Sequence, residues 1–444
     1  MKMDISVAFV KLKIPWKYRI VVCEKKHMEE NRMKGNVIVG QSGGPTAAIN
    51  SSLAGVYRTA IDRGVKKVYG MKNGVQGLLE ERYVDLSEHI RNDLDVELLK
   101  RTPAAYLGSC RYKLPEIHED PELYEKIFSI LYKLDIECFI YIGGNDSMDT
   151  IKKLSDYAIV KGHEIKFIGV PKTIDNDLAL TDHTPGYGSA AKYIGTSVKE
   201  VIRDSNALEY TQGLVTVVEI MGRNAGWLTG AAALSQGEDC EGPDMIYLPE
   251  IPFNVEDFVA RVKKLLEKKS AVVVAVSEGI RLEDGRYVCE LNQCEEYVDP
   301  FGHKQLSGTA DYLAKRLFSE LGVKSRGVEL STLQRAASHL VSRIDIIEAF
   351  QVGGAAVKAA DEGESGVMVI LDRISDDPYQ CTTSLQNVHK VSNVEKTVPR
   401  EWINKEGTYV TEEFIDYVRP LIQGDVPPIM VNGIPRHLYH SKEW

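Results

Sequence analysis

The sequence predicts an α/β protein with mostly parallel sheets, and three observations lead to that class. Short strands that are apolar throughout alternate with longer stretches of helical periodicity from residue 36 onward. Strands of this kind occur in parallel sheets that are covered by helices on both faces. The chain of 444 residues also contains more strands than one compact sheet accommodates. We therefore expect two sheets in two lobes.

The predicted elements follow one another in a regular order. The strands cover residues 36–39, 67–71, 138–142, 166–170, 213–220, 245–248, 271–276 and 367–371. The helices cover residues 47–62, 189–204, 255–268, 308–321 and 342–360. In open α/β sheets, ligands bind beyond the carboxyl ends of the strands. Glycine and aspartate cluster at those positions here, so we expect the functional site in the loops that follow the strands.

Composition and charge exclude several classes of function. The net charge is −10, whereas a general nucleic-acid binder needs a basic face. No apolar run approaches the roughly 20 residues of a membrane span. The seven cysteines are scattered and form no CxxC pair. We therefore expect free thiols in a cytoplasmic protein, without a zinc site or a disulfide framework.

The two ends of the chain differ from its middle. Residues 1–34 combine several lysines with short apolar stretches, and they have neither the apolar block nor the cleavage site of a secretory signal. We expect this segment to be an N-terminal extension or a mis-assigned start, with Met33 as the initiator. The tail after about residue 406 has scattered Gly and Pro and is predicted to be an appended segment.

Two Gly-Gly loops follow predicted strands, at residues 41–46 and 142–147. Glycines such as Gly43 and Gly44 let the backbone approach an anion, and the next helix offers N–H donors. A tight turn between strand and helix is the alternative reading of either loop. Asp146 is unexpected beside a phosphate, unless a cation such as Mg²⁺ lies between them or the carboxylate occupies the place of another phosphate. It could also simply cap the helix.

The run Pro-Lys-Thr-Ile-Asp-Asn-Asp, at residues 171–177, follows another strand. Phosphoryl transfer requires a base for the attacking hydroxyl and positive charge for the transferred group. Asp175 could be that base and Lys172 that cation, while Asp177 could orient the base or reach metal-bound water. The alternative is a polar turn, because Asp and Asn favour turns through local hydrogen bonds.

Further charged residues lie at strand ends or near them. Arg223 follows one strand, and Arg111, Arg326 and Arg335 are additional candidates for binding phosphate through the guanidinium fork. Glu278 ends another strand and could accept hydrogen bonds from sugar hydroxyls. The alternative for each arginine is a surface ion pair.

Together these segments resemble the phosphofructokinase family, and the similarity extends from about residue 35 to at least residue 380. The matching segments, in the family's order, are Ser42-Gly43-Gly44, residues 107–111, residues 143–147, residues 171–177, Met221-Gly222-Arg223, Ser277-Glu278-Gly279 and Leu333-Gln334-Arg335. The resemblance implies two three-layer αβα lobes with the active site in the cleft between them. It also implies the following division: residues 35–187 with 336–405 as the phosphoryl-donor lobe, 188–335 as the sugar-phosphate lobe, and 406–444 as the appended segment.

The resemblance assigns roles to individual residues. Asp175 resembles the base that activates the sugar 1-hydroxyl, and Lys172, Asp146 and Asp177 complete the predicted catalytic group. The expected contacts to fructose 6-phosphate are Thr173, Met221, Gly222, Arg223, Glu278, Arg335 and, from a neighbouring subunit of a homodimer or homotetramer, Arg326. The expected donor contacts are Gly43, Gly44, Arg111, Gly144 and Ser147. Mg²⁺ is expected at Asn145 and Asp146, although Asn145 stands where the family usually has an aspartate.

The phosphoryl donor is predicted from two positions. ATP-dependent relatives usually carry glycine where this chain has Asp146 and a small residue where it has Lys172, so the pair resembles the pyrophosphate-dependent branch. A carboxylate placed where the α-phosphate of a nucleotide would lie repels ATP but not pyrophosphate. The implied reaction is reversible transfer from pyrophosphate to fructose 6-phosphate, in glycolysis or gluconeogenesis. An ATP-dependent enzyme and a non-catalytic regulatory paralogue are the alternatives.

The sugar-phosphate end also departs from the family pattern. Thr332 stands where bacterial ATP-dependent enzymes have a histidine, and Leu214 stands where they have an arginine that reaches across subunits. These departures suggest sedoheptulose 7-phosphate as a second substrate.

Overall fold

The computed structural model describes residues 33–207, 213–292 and 306–439, so nearly all of the predicted N-terminal extension lies outside the described residues. The strands are β1 (Asn36–Gln41), β2 (Val68–Met71), β3 (Tyr83–Asp85), β4 (Ile136–Gly143), β5 (Lys166–Pro171), β6 (Leu214–Ile220), β7 (Met245–Tyr247), β8 (Ala271–Ser277), β9 (Lys324–Glu329), β10 (Val367–Asp376), β11 (Tyr379–Asn387), β12 (Met430–Val431) and β13 (Ile434–Pro435). The α-helices are α1 (Ile49–Asp62), α2 (Gly74–Leu79), α3 (Asp93–Arg101), α4 (Pro121–Lys133), α5 (Asn145–Lys161), α6 (Tyr187–Asn206), α7 (Trp227–Gly230), α8 (Val255–Leu266), α9 (Thr309–Leu321), α10 (Leu333–Ala336), α11 (Arg343–Asp361) and α12 (Glu412–Val418).

The first lobe is built on a seven-stranded sheet in the order β11-β10-β5-β4-β1-β2-β3. The strands from β10 to β2 pair in parallel, whereas β3 and β11 are antiparallel edges. Side chains alternate between two cores, as Val37 and Val39 pack on one face of the sheet and Ile38 packs on the other. The prediction of a mostly parallel sheet covered on both faces is confirmed.

The second lobe is built on a four-stranded parallel sheet in the order β7-β8-β6-β9. The central strands β6 and β8 are buried along their whole length. They also divide their apolar side chains between two cores, with Val217 on one face and Val218 on the other. The edge strand β9 is polar and largely exposed. The prediction of two sheets is therefore also confirmed.

Within the described ranges, the chain passes between the two lobes four times. It crosses to the second lobe after β5 and returns to the first lobe before α11. After β11 it crosses again, and residues 398–421, including α12, pack into a core of the second lobe. Leu438 then packs back against the first lobe, where its amide donates to Thr102 Oγ1 over 2.8 Å.

Two further findings concern expectations from composition. Of the helices within the described ranges, none is both long and apolar enough to cross a membrane. Cys110, Cys138, Cys240, Cys289 and Cys381 are free thiols. The other two cysteines, Cys23 and Cys294, lie outside the described residues.

Candidate active site

A cavity of about 610 Å³ lies where the carboxyl ends of the strands of the two lobes face each other. The first lobe contributes the loops after β1, β4 and β5, and the second lobe contributes those after β6 and β8. The residues predicted from sequence that line the cavity are Gly43, Gly44, Arg111, Gly144, Asn145, Asp146, Ser147, Lys172, Thr173, Asp175, Asp177, Met221, Arg223, Glu278 and Arg335.

The two Gly-Gly loops are joined side by side. The hydroxyls of Ser42 and Ser147 are 2.7 Å apart, and the amide of Gly43 donates to the carbonyl of Cys110. A Cβ at Gly143 would lie 1.8 Å from Ser147 Oγ within the second loop, so a side chain there would displace the hydroxyl that contacts Ser42. Helix α5 begins at Asn145, directly after the second loop, and its first three residues line the cavity. The N-terminus of α5 therefore favours an anion there.

Lys172 lies at the end of β5, beneath the first Gly-Gly loop. Its side chain is 3% exposed, and Nζ donates to the carbonyl of Gly44 over 2.8 Å. Burial lowers the pKa of the ammonium to about 8, although the carboxylates of Asp175 and Asp177 favour the charged form. The cation thus lies beside the first Gly-Gly loop and near two acidic side chains.

Two aspartates face the cavity from the loop that follows β5. The amide of Asp175 donates to Thr173 Oγ1 over 3.1 Å, which fixes the turn between them. Burial raises the pKa of Asp175, and the neighbouring Lys172 opposes that rise. The pKa of Asp177 is raised to about 7, first by burial and then by the charges of Asp175 and Glu395.

Asn176, which lies between these aspartates, points away from the cavity. It adopts a left-handed conformation with φ of 54° and is completely buried. Its Oδ1 accepts a bond from the amide of Thr184, and its Nδ2 donates to the hydroxyl of Tyr417. This reversal of the backbone allows Asp175 and Asp177 to face the same cavity.

The second lobe presents backbone and carboxylate groups. The amide of Met221 donates to Gln334 Oε1 over 3.3 Å, and the amide of Gly222 donates to Glu278 Oε1 over 3.4 Å. Burial raises the pKa of Glu278 to about 8, which favours the protonated form of this carboxyl group near neutral pH. Burial and the charge of Arg111 lower the pKa of Arg335.

Comparisons with known proteins identify the family of this chain. The sequence model of the family described as phosphofructokinase matches residues 36–360. The chain belongs to the phosphofructokinase family. Two relatives are named pyrophosphate–fructose 6-phosphate 1-phosphotransferase. The one from Xanthomonas campestris pv. campestris is 41% identical over 91% of this chain and 96% of its own length. The one from Halomonas elongata is 40% identical over 90% of this chain and 95% of its own length.

A solved structure supports the same assignment to the phosphofructokinase family. The pyrophosphate-dependent phosphofructokinase from Nitrosospira multiformis superposes with a TM-score of 0.82 at 36% identity. The match covers 91% of this chain and 95% of that one. The two-lobed α/β fold predicted from the phosphofructokinase resemblance is therefore confirmed.

Most of the residues expected from the phosphofructokinase motifs meet at the cavity, but Arg326 does not. It lies on the edge strand β9, where its guanidinium bonds Asp204 Oδ2 over 2.7 Å and Thr216 Oγ1 over 3.2 Å. Gly222 is adjacent to the cavity wall through its bond to Glu278. The contribution of Arg326 to a neighbouring subunit stays a prediction.

Three polar residues that line the cavity lie outside every loop and motif singled out in the sequence, namely Asn224, Asn393 and Glu395. Asn224 lies just past the Met-Gly-Arg run, and its Nδ2 donates to Glu395 Oε1 over 3.0 Å. Asn393 also lines the cavity, and its Nδ2 is 3.4 Å from Asp149 Oδ1. The position of Asn224 beside a motif was a usable signal. Nothing in the sequence around Asn393 and Glu395 indicated a site.

The part of the cavity lined by Asn145 and Asp146 fits a divalent cation. Asn145 Oδ1 is buried, lines the cavity, and has no hydrogen-bond partner among the described residues. The carboxylate of Asp146 follows in the same helical turn. Mg²⁺ prefers oxygen ligands of these two types and retains several waters. Because one oxygen is unsatisfied and the other is anionic, these residues are suited to hold such an ion.

Proposed function

We propose that the protein transfers a phosphoryl group from pyrophosphate to the 1-hydroxyl of fructose 6-phosphate. The products are fructose 1,6-bisphosphate and phosphate, and the reaction runs in both directions. The observation that carries this proposal is that Asp146 and Lys172 both line the donor end of the cavity. The names of relatives that are about 40% identical over nine-tenths of the chain support the same reaction.

In this reaction Asp175 is the base that accepts the proton of the sugar 1-hydroxyl. Its raised pKa brings it closer to neutral pH, where a general base is most effective. Lys172 stabilises the charge that develops on the leaving phosphate, from a buried position where electrostatic effects are strong. Asp177, with its pKa raised to about 7, orients the base or a metal-bound water.

Donor selection depends on Asp146, in the first turn of α5. Gly43, Gly44, Gly144, Ser147 and Arg111 bind the pyrophosphate in this proposal. The carboxylate of Asp146 then occupies the position that the α-phosphate of a nucleotide would need. Like charges at that distance reject ATP, whereas pyrophosphate has no third phosphate to be repelled.

Mg²⁺ is the proposed cofactor, and Asn145 and Asp146 would hold it. When bound, the ion would neutralise negative charge on the phosphoryl donor during transfer. Because Asn145 is a neutral ligand, Asp146 carries most of the charge that attracts the cation. Asp146 therefore has two proposed functions, as a metal ligand and in excluding nucleotides.

The sugar phosphate is proposed to bind on the second-lobe side of the cavity. Thr173, Met221, Gly222 and Arg223 position the sugar, Glu278 accepts or donates at its hydroxyls, and Arg335 binds phosphate. We keep the division into a donor lobe (35–187 with 336–405) and a sugar-phosphate lobe (188–335) as a proposal. Arg326 would act in a neighbouring subunit of a homodimer or homotetramer.

A donor-comparison assay tests the proposed function. We expect turnover of fructose 6-phosphate with pyrophosphate and Mg²⁺, and at most slow turnover with ATP. The same assay should include sedoheptulose 7-phosphate as a second acceptor. Turnover with ATP alone would replace the donor assignment by the ATP-dependent alternative. No turnover with either donor would favour the regulatory paralogue.

Substitutions at Asp146 test the repulsion argument separately. Asp146→Gly and the isosteric Asp146→Asn both remove the charge, so ATP should bind at least about tenfold more tightly. Asp93→Asn is a matched control, because Asp93 also begins a helix but lies on the surface with an 87% exposed side chain. Unchanged ATP affinity in both Asp146 variants would contradict the proposed role of this carboxylate.

A further inference from the structure

Helix α12 lies beyond residues 36–360, the part of the chain that matches the family model, yet it reaches the loop that carries both cavity aspartates. We propose that Tyr417, together with Lys396, is a positioning residue that holds the loop of residues 175–184 in its active geometry. This inference rests on the proposed function for its kinetic consequences. The structural part of it, the restraint on the loop, is independent of the substrates.

The first contact is made at Asn176. Its Nδ2 donates to the hydroxyl of Tyr417 over 2.9 Å, and its Oδ1 accepts from the amide of Thr184 over 3.1 Å. Thr184 is itself held, because its hydroxyl donates to the carbonyl of Thr173. Asn176 is completely buried, so its side-chain amide has no water to replace a lost partner. The tyrosine hydroxyl therefore fixes the residue between the two aspartates.

The second contact is made at the carbonyl of Asp182, on the far side of the same loop. The hydroxyl of Tyr417 donates to this oxygen over 2.7 Å, and Lys396 Nζ donates to it over 2.6 Å. Lys396 Nζ also lies 3.2 Å from the carbonyl of Thr181. Two side chains from the C-terminal part of the chain thus donate hydrogen bonds to the same carbonyl group of the loop.

The backbone around Lys396 adds a third restraint. Its amide donates to the carbonyl of Asp177 over 2.8 Å, and Glu395 pairs with Leu178 in an antiparallel bridge. The carbonyl of Lys396 accepts from Trp227 Nε1 over 2.9 Å, which ties the segment to the second lobe. Asp177 is therefore linked through one residue to both lobes.

None of the three groups central to this restraint lines the cavity, namely Tyr417, Lys396 and Asn176. They cannot act on substrate directly from these positions, so their effect must pass through Asp175 and Asp177. A displacement of about 1 Å in a reacting group can cost about 100-fold in rate. Loss of the restraint should therefore lower kcat while substrate binding changes little.

The kinetic test uses Tyr417→Phe, which removes only the hydroxyl. We expect kcat to fall by about 10- to 100-fold, with KM for both substrates within about threefold of the original. Tyr409→Phe is the matched control, because Tyr409 packs against the same core and its hydroxyl lies near Gly242, away from the loop. An unchanged kcat in Tyr417→Phe, or an equal loss in Tyr409→Phe, would overturn the proposal.

Hydrogen exchange provides a readout that needs no turnover. We expect faster amide exchange at residues 173–184 in Tyr417→Phe than in the original protein, and no change in Tyr409→Phe. Lys396→Met should increase exchange in the same peptide, and it serves as the second variant if Tyr417→Phe does not fold. Unchanged exchange in a folded variant would refute the restraint. If the original protein does not turn over pyrophosphate but the Tyr417→Phe variant still shows faster exchange, the proposed restraint is supported and only the proposed function is contradicted.

Discussion

Lys172→Met should make the protein inactive and more stable at the same time. The ammonium is 3% exposed, and burial lowers its pKa from 10.5 to about 8. That drop corresponds to about 3 kcal/mol by which burial penalises the charged lysine in the folded state. The substitution also removes the hydrogen bond to the carbonyl of Gly44, worth about 1 kcal/mol. The net gain in the free energy of unfolding is therefore about 2 kcal/mol.

The effect has a defined pH dependence. Because the pKa of Lys172 is lower in the folded state than in the unfolded state, its penalty is complete below about pH 8. Between about pH 8 and pH 10.5 the folded lysine loses its proton while the unfolded lysine keeps it. The stability of the original protein therefore recovers across this window. The advantage of Lys172→Met should disappear over the same window.

Chemical denaturation at pH 7 and at pH 10, with turnover measured at pH 7, tests both parts of the prediction. Turnover should fall by about 100-fold or more, as expected when a preorganised charge on the leaving group is removed. Lys315→Met is the control, because that side chain is 67% exposed and should show neither effect. A variant that is less stable than the original at pH 7, or that keeps its activity, would refute the reasoning.

Three further predictions concern the cavity. Asp175→Asn should lower kcat by about 10²- to 10⁴-fold, because the base is lost. Calorimetry should still detect binding of fructose 6-phosphate to this variant. A kcat within tenfold of the original would exclude Asp175 as the base. Gly143→Ala places a Cβ 1.8 Å from Ser147 Oγ and should raise KM for pyrophosphate at least about tenfold, with partial recovery in a double variant that also carries Ser147→Gly. A normal KM in the single variant would contradict the requirement for a close approach between Gly143 and Ser147 in the second loop. Glu395→Gln removes a negative charge that raises the pKa of Asp177. When kcat/KM is measured from pH 5 to pH 8, the acidic limb of its pH profile should therefore move to lower pH. An unchanged acidic limb would show that Asp177 does not control it.

The first-lobe half of the cavity could be predicted from sequence because its polar residues lie in short loops directly after recognisable strands. Residues 41–46, 142–147 and 171–177 each follow an apolar strand directly. Parallel strands end at one edge of a sheet, so polar residues after three of them must meet there. The meeting of the two Gly-Gly loops and Asp175 at one edge of the sheet could thus be predicted from the position of the strands alone.

The rest of the cavity depends on contacts that have no local signal. Glu395 comes from a polar segment after β11, and glutamate in such a segment is usually a solvated surface residue. Only its bridge to Leu178 brings it beside Asp177. Tyr417 belongs to a short helix whose apolar residues predict core packing, and nothing in that pattern distinguishes its hydroxyl.

The edge strands β3, β9 and β11 were missed for a related reason, whereas the edge strand β7 was predicted. β9 is polar and largely exposed, and β11 alternates partly buried with exposed positions. A polar edge discourages pairing with other chains, but it also removes the apolar run by which a strand is recognised. The central strands, which are buried on both faces, were all found.

The four crossings between the lobes affect how the molecule unfolds and how it responds to proteolysis. With a single linker, each lobe could unfold independently and rotate freely relative to the other. Here the first lobe is built from two separate stretches of the chain, and the second lobe is connected to both of them. Cleavage within any one of the first three crossings should leave the two fragments associated, because both fragments contribute residues to the core of at least one lobe. The two lobes should therefore give one calorimetric transition, and closure over substrate should be a small rotation about several connections at once.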